Sequence, residues 1–124
     1  MALAGKVARG RTNYHAGLMA EAQIAQEYRR RGRPVIAERW RGSAGEIDLV
    51  AQDGEGLIFI EVKRARSFDC AVQRVSARQM RRVYGAASEF LGTQPKGQRT
   101  EVRFDVALVN GAGEIRIMEG AFGH

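Results

Sequence analysis

Disulfide chemistry is closed to this chain, because its 124 residues include one cysteine, Cys70, too few for an intramolecular bridge or a cysteine-rich zinc site. Histidine is almost as scarce. With only His15 and His124 available, a histidine-based metal centre or general base has little material, so any catalytic metal must rest on carboxylates. Long apolar runs are missing too. Residues 1–12 mix Ala and Gly with Lys6, Arg9 and Arg11 and hold no segment fit for a signal peptide, and no run approaches a membrane span. The expectation is a soluble, cytoplasmic protein with no membrane partner.

Acidic residues are outnumbered by basic ones, fourteen against twenty, which leaves a formal charge of +6 on a short chain. Such a field attracts polyanions, and nucleic acid is the leading partner class. The length suits one core and not two. We therefore expect a flexible basic arm over residues 1–13, a single domain over 14–119 and a short tail over 120–124.

Helical spacing of Leu18, Ala22, Ala25 and Tyr28, joined by Ile24, predicts a first helix from about Ala16 to Arg31, stopped by Gly32-Arg33-Pro34. A short strand follows over Val35–Arg41, then a turn-rich run from Gly42 to Gly45. Two stronger strands, Glu46–Ala51 and Leu57–Lys63, flank Asp53-Gly54-Glu55-Gly56 and read as an antiparallel hairpin. After a polar connection, Ser76 and Gln79 form a candidate capping box. It opens a helix carrying Met80, Val83, Tyr84, Ala87, Phe90 and Leu91, ended by Gly92 and Pro95. Alternation of Val102, Phe104, Val106 and Leu108 marks a half-buried strand, and Asn110–Gly113 turns into a last strand near Glu114–Met118. The order αβββαββ, with no repeat or linker, predicts an α/β fold: one mixed central sheet flanked by two main helices.

Strand geometry gives the hairpin its chemical interest. Glu46 shares a face with Asp48, and Glu61 with Lys63; if Gln52 and Leu57 close the loop, Asp48 lies opposite Glu61 and Glu46 opposite Lys63. Facing carboxylates repel, and a divalent cation held by Asp48 and Glu61 would offset that repulsion. Mg²⁺ or Mn²⁺ takes hard oxygen ligands and keeps waters, one of which can serve as nucleophile, with Lys63 placed to assist. An ordinary solvent-facing hairpin would carry similar charges. Leu57 and Phe59 on one face and Ile58, Ile60 and Val62 on the other argue for a strand covered on both sides, hence a cleft. Glu21 borders the apolar stripe of the first helix. It is a candidate metal ligand or a residue orienting the ligands, unless it turns outward to pair with Lys or Arg.

Gly45-Glu46-Ile47-Asp48-Leu49-Val50, then Phe59-Ile60-Glu61-Val62-Lys63, then Arg103-Phe104-Asp105-Val106, with Ala20-Glu21 and Ala25 upstream, resemble the YraN-like family of uncharacterised proteins. That family is similar to PD-(D/E)XK nucleases and archaeal Holliday-junction resolvases, and the match runs from about Tyr14 to Met118. The resemblance implies a restriction-endonuclease-like fold, with Asp48, Glu61 and Lys63 as the Asp, Glu and Lys of the catalytic motif and Glu21 as the first-helix acid. It implies branched DNA as substrate and a homodimer wherever both strands of a junction are cut. Two positions depart from the family. Arg78 and Gln79 stand where a lysine often opens the second helix, and Arg64-Ala65 replaces Thr-Arg after the Glu-x-Lys block.

Arg64, Arg66, Arg74, Arg78, Arg81 and Arg82 follow the hairpin and are candidates for sequence-independent phosphate contacts, although a solvated helix face would look the same. Arg103 and Asp105 read as a buried ion pair supporting the sheet, Trp40 as packing, and Cys70 as packing or loop without a redox role. Two functions are expected to compete: a metal-dependent DNA endonuclease, and a noncatalytic nucleic-acid-binding or partner-docking module on the same fold. An RNA-processing enzyme using the same site ranks third.

Overall fold

In a computed structural model, which describes the backbone of residues 2–121 and the side chains of residues 15–121, the apolar stripe of the first helix meets the sheet as its spacing requires. Ala20, Ile24, Ala25 and Tyr28 are buried against Leu49, Ala51, Ile58, Ile60, Ala107 and Val109. Helix α1 spans Ala2–Arg30. Its helical backbone thus starts well before Ala16 and takes in the residues expected as a loose arm; the side chains of that arm lie outside the described residues.

Five strands, β1 (Val35–Arg41), β2 (Glu46–Asp53), β3 (Gly56–Arg64), β4 (Val102–Val109) and β5 (Ile115–Met118), form one sheet in chain order. All neighbours are antiparallel except β3 and β4, which run parallel. The connection between that parallel pair carries α2 (Phe68–Gln73), α3 (Ala77–Leu91) and a 3-10 turn (Gly97–Arg99). Helix α3 packs Met80, Val83, Ala87, Phe90 and Leu91 onto the sheet face opposite α1, where Phe59 stacks on Phe104 at 5.4 Å and meets Phe90 edge-on at 5.9 Å. The architecture is a mixed α/β sandwich of helix, sheet and helices, consistent with the expected nuclease-like fold. It adds α2, whose six residues are too few to show a helical period; its signal is Ser67, which accepts the Cys70 N–H at 3.1 Å as N-cap. The hairpin between β2 and β3 closes on Gly54 and Glu55 alone, with Asp53 paired to Gly56 and Gly54 at φ +61°, a conformation that favours glycine at the first turn position.

A second device fixes the loop before β2. Glu89 of α3 accepts hydrogen bonds from the Ser43 N–H at 2.9 Å, the Ser43 hydroxyl at 2.6 Å and the Ala44 N–H at 3.0 Å. Close approach depends on small residues: a Cβ on Gly85 would stand 2.6 Å from the Ala44 Cβ, and one on Gly45 would stand 3.0 Å from the Arg82 Cβ. Gly85→Ala should therefore destabilise the fold by about 1–3 kcal/mol despite the better helix propensity of alanine. Adding Ala44→Gly should recover most of that loss in thermal melts; a Gly85→Ala protein as stable as wild type would refute the contact.

At the far side of the sheet, Asp105 is 1% exposed and collects Arg103 through Nε at 2.8 Å and Nη2 at 3.0 Å, the Tyr28 hydroxyl at 2.6 Å and the Gly120 N–H at 3.0 Å. The expected ion pair is present, and it also ties α1 to β4. Removing it with Asp105→Ala leaves the Tyr28 hydroxyl buried without its acceptor. The predicted cost is about 2–4 kcal/mol in urea unfolding, whereas Tyr28→Phe costs about 1 kcal/mol. Equal, negligible losses would show that the network carries no weight.

Candidate active site

The β2–β3 ladder has the register expected from the sequence, with Gln52 opposite Leu57 and Leu49 opposite Ile60, but its pairing ends at Leu49 and Ile60. Beyond that point β2 stays with β1 as far as Arg41↔Glu46, and β3 stays with β4 as far as Arg64↔Val109. The sheet forks there. Asp48 sits at the fork, and its Oδ2 accepts the Val62 N–H at 2.8 Å, a bond that a continued ladder would have given to a backbone carbonyl.

Strand alternation slips at the same level. Leu49 packs toward α1, while Ile47 and Val50 both pack toward α3; across the pair, Ala37 and Trp40 lie together on the α3 side. Between Ala37 and Trp40 stands Arg39 at φ +52°, the one non-glycine with positive φ among the described residues. This left-handed backbone costs about 1–2 kcal/mol and turns the strand by one residue, the kind of irregularity that re-aims a side chain.

Glu61 projects from β3 toward α3 and is 5% exposed. Its Oε1 accepts from Gln79 Nε2 at 2.8 Å and lies 3.3 Å from Lys63 Nζ, and its carboxyl is close enough to Asp48 for the two to titrate together. Burial, followed by the Asp48 charge, pushes the Glu61 carboxyl up to about 8. Asp48 is raised as well, by burial, against the lowering pull of the Val62 N–H. Burial thus raises the proton affinity of both carboxyls, and the two titrate as a pair. Glu21 approaches from α1, on the other side of the fork. Burial and then the Asp48 charge raise it to about 7, with Arg39 Nε, 3.8 Å away, pulling the other way.

The structure brings Asp48, Glu61 and Lys63 together and sets Glu21 beside them. Glu46 is the correction. It was expected opposite Lys63, but because the ladder ends at the fork it stays with β1, with Arg41 Nη2 at 3.0 Å and Arg39 Nε at 3.7 Å. Gln79 is the residue the sequence pattern concealed. Its backbone N–H completes half of the capping box with Ser76 Oγ at 3.1 Å, but its side chain reaches Glu61 rather than returning to the helix start. The six arginines divide between two layers: Arg78, Arg81 and Arg82 are exposed on α3, whereas Arg64, Arg66 and Arg74 line a groove on the α1 side. Trp40 packs edge-on against Phe90 at 5.3 Å, and Cys70 is exposed on α2.

Two carboxylates meeting at the fork, Glu61 buried and Asp48 half-buried, are the donor set a hard divalent cation takes, and the raised proton affinity of both marks negative charge that their partners compensate only in part. Among the described residues no group of three His, Cys, Asp or Glu side chains is placed to hold an ion. Asp48 and Glu61 would thus hold it with waters and substrate oxygens, the arrangement usual for Mg²⁺.

Linkage fixes the sign of a pH test. A carboxyl raised to about 8 in the fold from about 4.5 in the unfolded chain takes up a proton on folding, so its contribution is complete below about 4.5 and lost as pH rises through about 8. In protein free of divalent metal, Glu61→Gln should raise stability by on the order of 1–3 kcal/mol at alkaline pH and by little under mildly acidic conditions. A pH-independent effect in thermal melts would contradict the raised proton affinity of Glu61.

Among the described residues no helix is long and apolar enough to cross a membrane. The model of the uncharacterised protein family UPF0102 matches residues 20–109, a stretch that holds Glu21, Asp48, Glu61, Lys63, Gln79 and Asp105. A UPF0102 protein of Cereibacter sphaeroides is 58% identical over 91% of this chain and 97% of its own length. Others from Ruegeria pomeroyi, at 50% identity over 94% of each chain, and Dinoroseobacter shibae, at 42% over 90% of this chain and 83% of the relative, cover nearly the same ground. Family match, high identity and near-complete coverage agree with the YraN-like resemblance of the sequence, and the chain belongs to UPF0102.

Proposed function

We propose that this protein is a metal-dependent endonuclease that hydrolyses phosphodiester bonds in DNA, selecting branched or otherwise irregular structures. The observation that carries the reading is the meeting of Asp48 and Glu61 at the fork, Asp48 on the Val62 N–H and Glu61 on Gln79, with Lys63 Nζ 3.3 Å from Glu61. Asp48 and Glu61 would hold Mg²⁺ or Mn²⁺, which supplies charge neutralisation on the scissile phosphate and water activation at neutral pH.

The residues of the chain have separable tasks in that reading. Val62 N–H orients Asp48, and Gln79 orients Glu61. Lys63 offers a cation to the phosphate oxygens and a hydrogen bond to the attacking water, whose oxygen forms the new P–O bond as the leaving sugar oxygen departs with a proton. Glu21, raised to about 7, is poised to exchange a proton near neutrality beside Asp48. Arg64, Arg66, Arg74, Arg78, Arg81 and Arg82 contribute phosphate contacts, and a homodimer supplies the second site that resolving both strands of a junction demands. A cytoplasmic setting suits the lone cysteine.

One observation favours a second reading. Because no three-ligand group is formed among the described residues, a noncatalytic nucleic-acid-binding module would also suit the fold.

Purified protein incubated with branched, duplex and single-stranded DNA and with RNA, with Mn²⁺ or with chelator, decides between them. The expected result is Mn²⁺-dependent DNA cleavage that falls at least about 100-fold in Asp48→Asn and Lys63→Ala protein while binding persists. Binding without cleavage by wild type would establish the module. Cleavage surviving in both variants would belong to a contaminant and remove the enzyme reading.

A further inference from the structure

Beyond Lys63, β3 runs out into a groove of about 640 Å³ on the α1 side, separate from the residues that hold the carboxylate pair. One wall is α1, through Ala16, Met19 and Ala20; the other is the end of β3 with its following loop, through Arg64 and Arg66, and the C-terminal end of α2, through Arg74. No carboxylate lines it. Three arginines therefore stand around a lining of mixed character, in which Gln23 and Asn110 sit among small and apolar residues and Met19 is 72% exposed.

The walls are fastened to one another. Gln23 Nε2 of α1 donates to the Gly113 carbonyl at 2.6 Å, Gly111 N–H to the Arg66 carbonyl at 3.1 Å, and Arg74 Nη1 to the Arg64 carbonyl at 3.1 Å. These bonds join α1, the β4–β5 turn, the end of β3 and the segment after α2 into a preformed trough. Preformation keeps the ordering cost of binding low.

We propose that this groove grips an unpaired strand of nucleic acid on its way to or from the candidate active site, with Arg64, Arg66 and Arg74 on the phosphates. This deepens the endonuclease reading and rests on it only for the strand's destination. The groove's volume is that of a pocket enclosing a small ligand, which admits a few atoms' width of one strand. A duplex presents a convex cylinder and would meet only the rim. Among the described residues the lining offers guanidinium groups and no aromatic ring, so binding there is through phosphates, indifferent to sequence and steeply salt-dependent. Arg64 follows Lys63 on β3 and Ala20 precedes Glu21 on α1, so the groove adjoins the site along both elements, on the α1 face of the sheet whose α3 face carries Glu61 and Lys63.

The test is fluorescence anisotropy of a labelled oligothymidine of about 20 nucleotides, and of a blunt duplex of the same length, in chelator at low salt. Arg66→Glu is compared with Arg99→Glu, the same charge change placed on the 3-10 turn outside the groove. Arg66→Glu should weaken oligothymidine binding about tenfold or more and lower the salt slope by about one, with duplex binding and the melting curve little changed. Arg99→Glu should change oligothymidine affinity less than about twofold. Equal losses in the two variants, equal losses for strand and duplex, or no oligothymidine binding by wild type would each overturn the proposal. Cleavage is scored separately: binding lost in Arg66→Glu with no nuclease activity in wild type sinks the enzyme and keeps the groove, while active wild type with Arg66-independent strand binding does the reverse.

Discussion

A single hydrogen bond, from the Val62 N–H to the Asp48 carboxylate, replaces the next rung of the β2–β3 ladder, and the arrangement of the site depends on that substitution. A buried strand cannot leave its N–H groups without acceptors, so β2 and β3 can part only if something else satisfies them. Asp48 does so, and in doing so is held at the level of the sheet, where an ordinary strand side chain would stand above or below it. Glu61 reaches the pair from the α3 side and Glu21 from the α1 side because Asp48 occupies the opening between them.

The surrounding packing serves to hold this opening in place. Glu89 fixes the loop before β2 onto α3, the glycines at 45 and 85 let loop and helix approach, and the start of the same helix delivers Gln79 to Glu61. On the other layer, Tyr28 and Asp105 lock the end of α1 to β4, which fixes the height at which Glu21 crosses the fork. Sheet geometry alone would not hold three acidic side chains close together; clamps on both layers oppose their repulsion.

Much of this was legible in the chain and some was not, for physical reasons. Helical spacing located the buried face of α1, and the glycine-containing turn set the hairpin register, because both follow from periods of 3.6 and 2 acting over many residues. The same period-2 rule misplaced Glu46, since it assumes an unbroken ladder, and at the level where the ladder ends the neighbouring strand carries a left-handed arginine at position 39, where no glycine advertises the irregularity. Ser76-x-x-Gln79 announced the helix start correctly, yet a capping pattern states only where a backbone N–H is satisfied. The direction of the Gln79 side chain was decided by Glu61, a residue distant in sequence.

Two clusters of buried carboxylate occur in this fold, and their contrast separates support from chemistry. Asp105 is ringed by donors: two from Arg103, one from Tyr28 and one from the Gly120 backbone, so its charge is matched within the protein and its partners hold the sheet. Asp48 and Glu61 have one backbone donor, one amide and one lysine between them, and burial raises the proton affinity of both, so the protein matches their charge less completely. Evolution toward stability alone would favour the first arrangement, because unmatched buried charge is costly and is readily removed by one amide substitution. The second is the arrangement that the proposed reading requires, in which a cation and a phosphate would complete the site from outside.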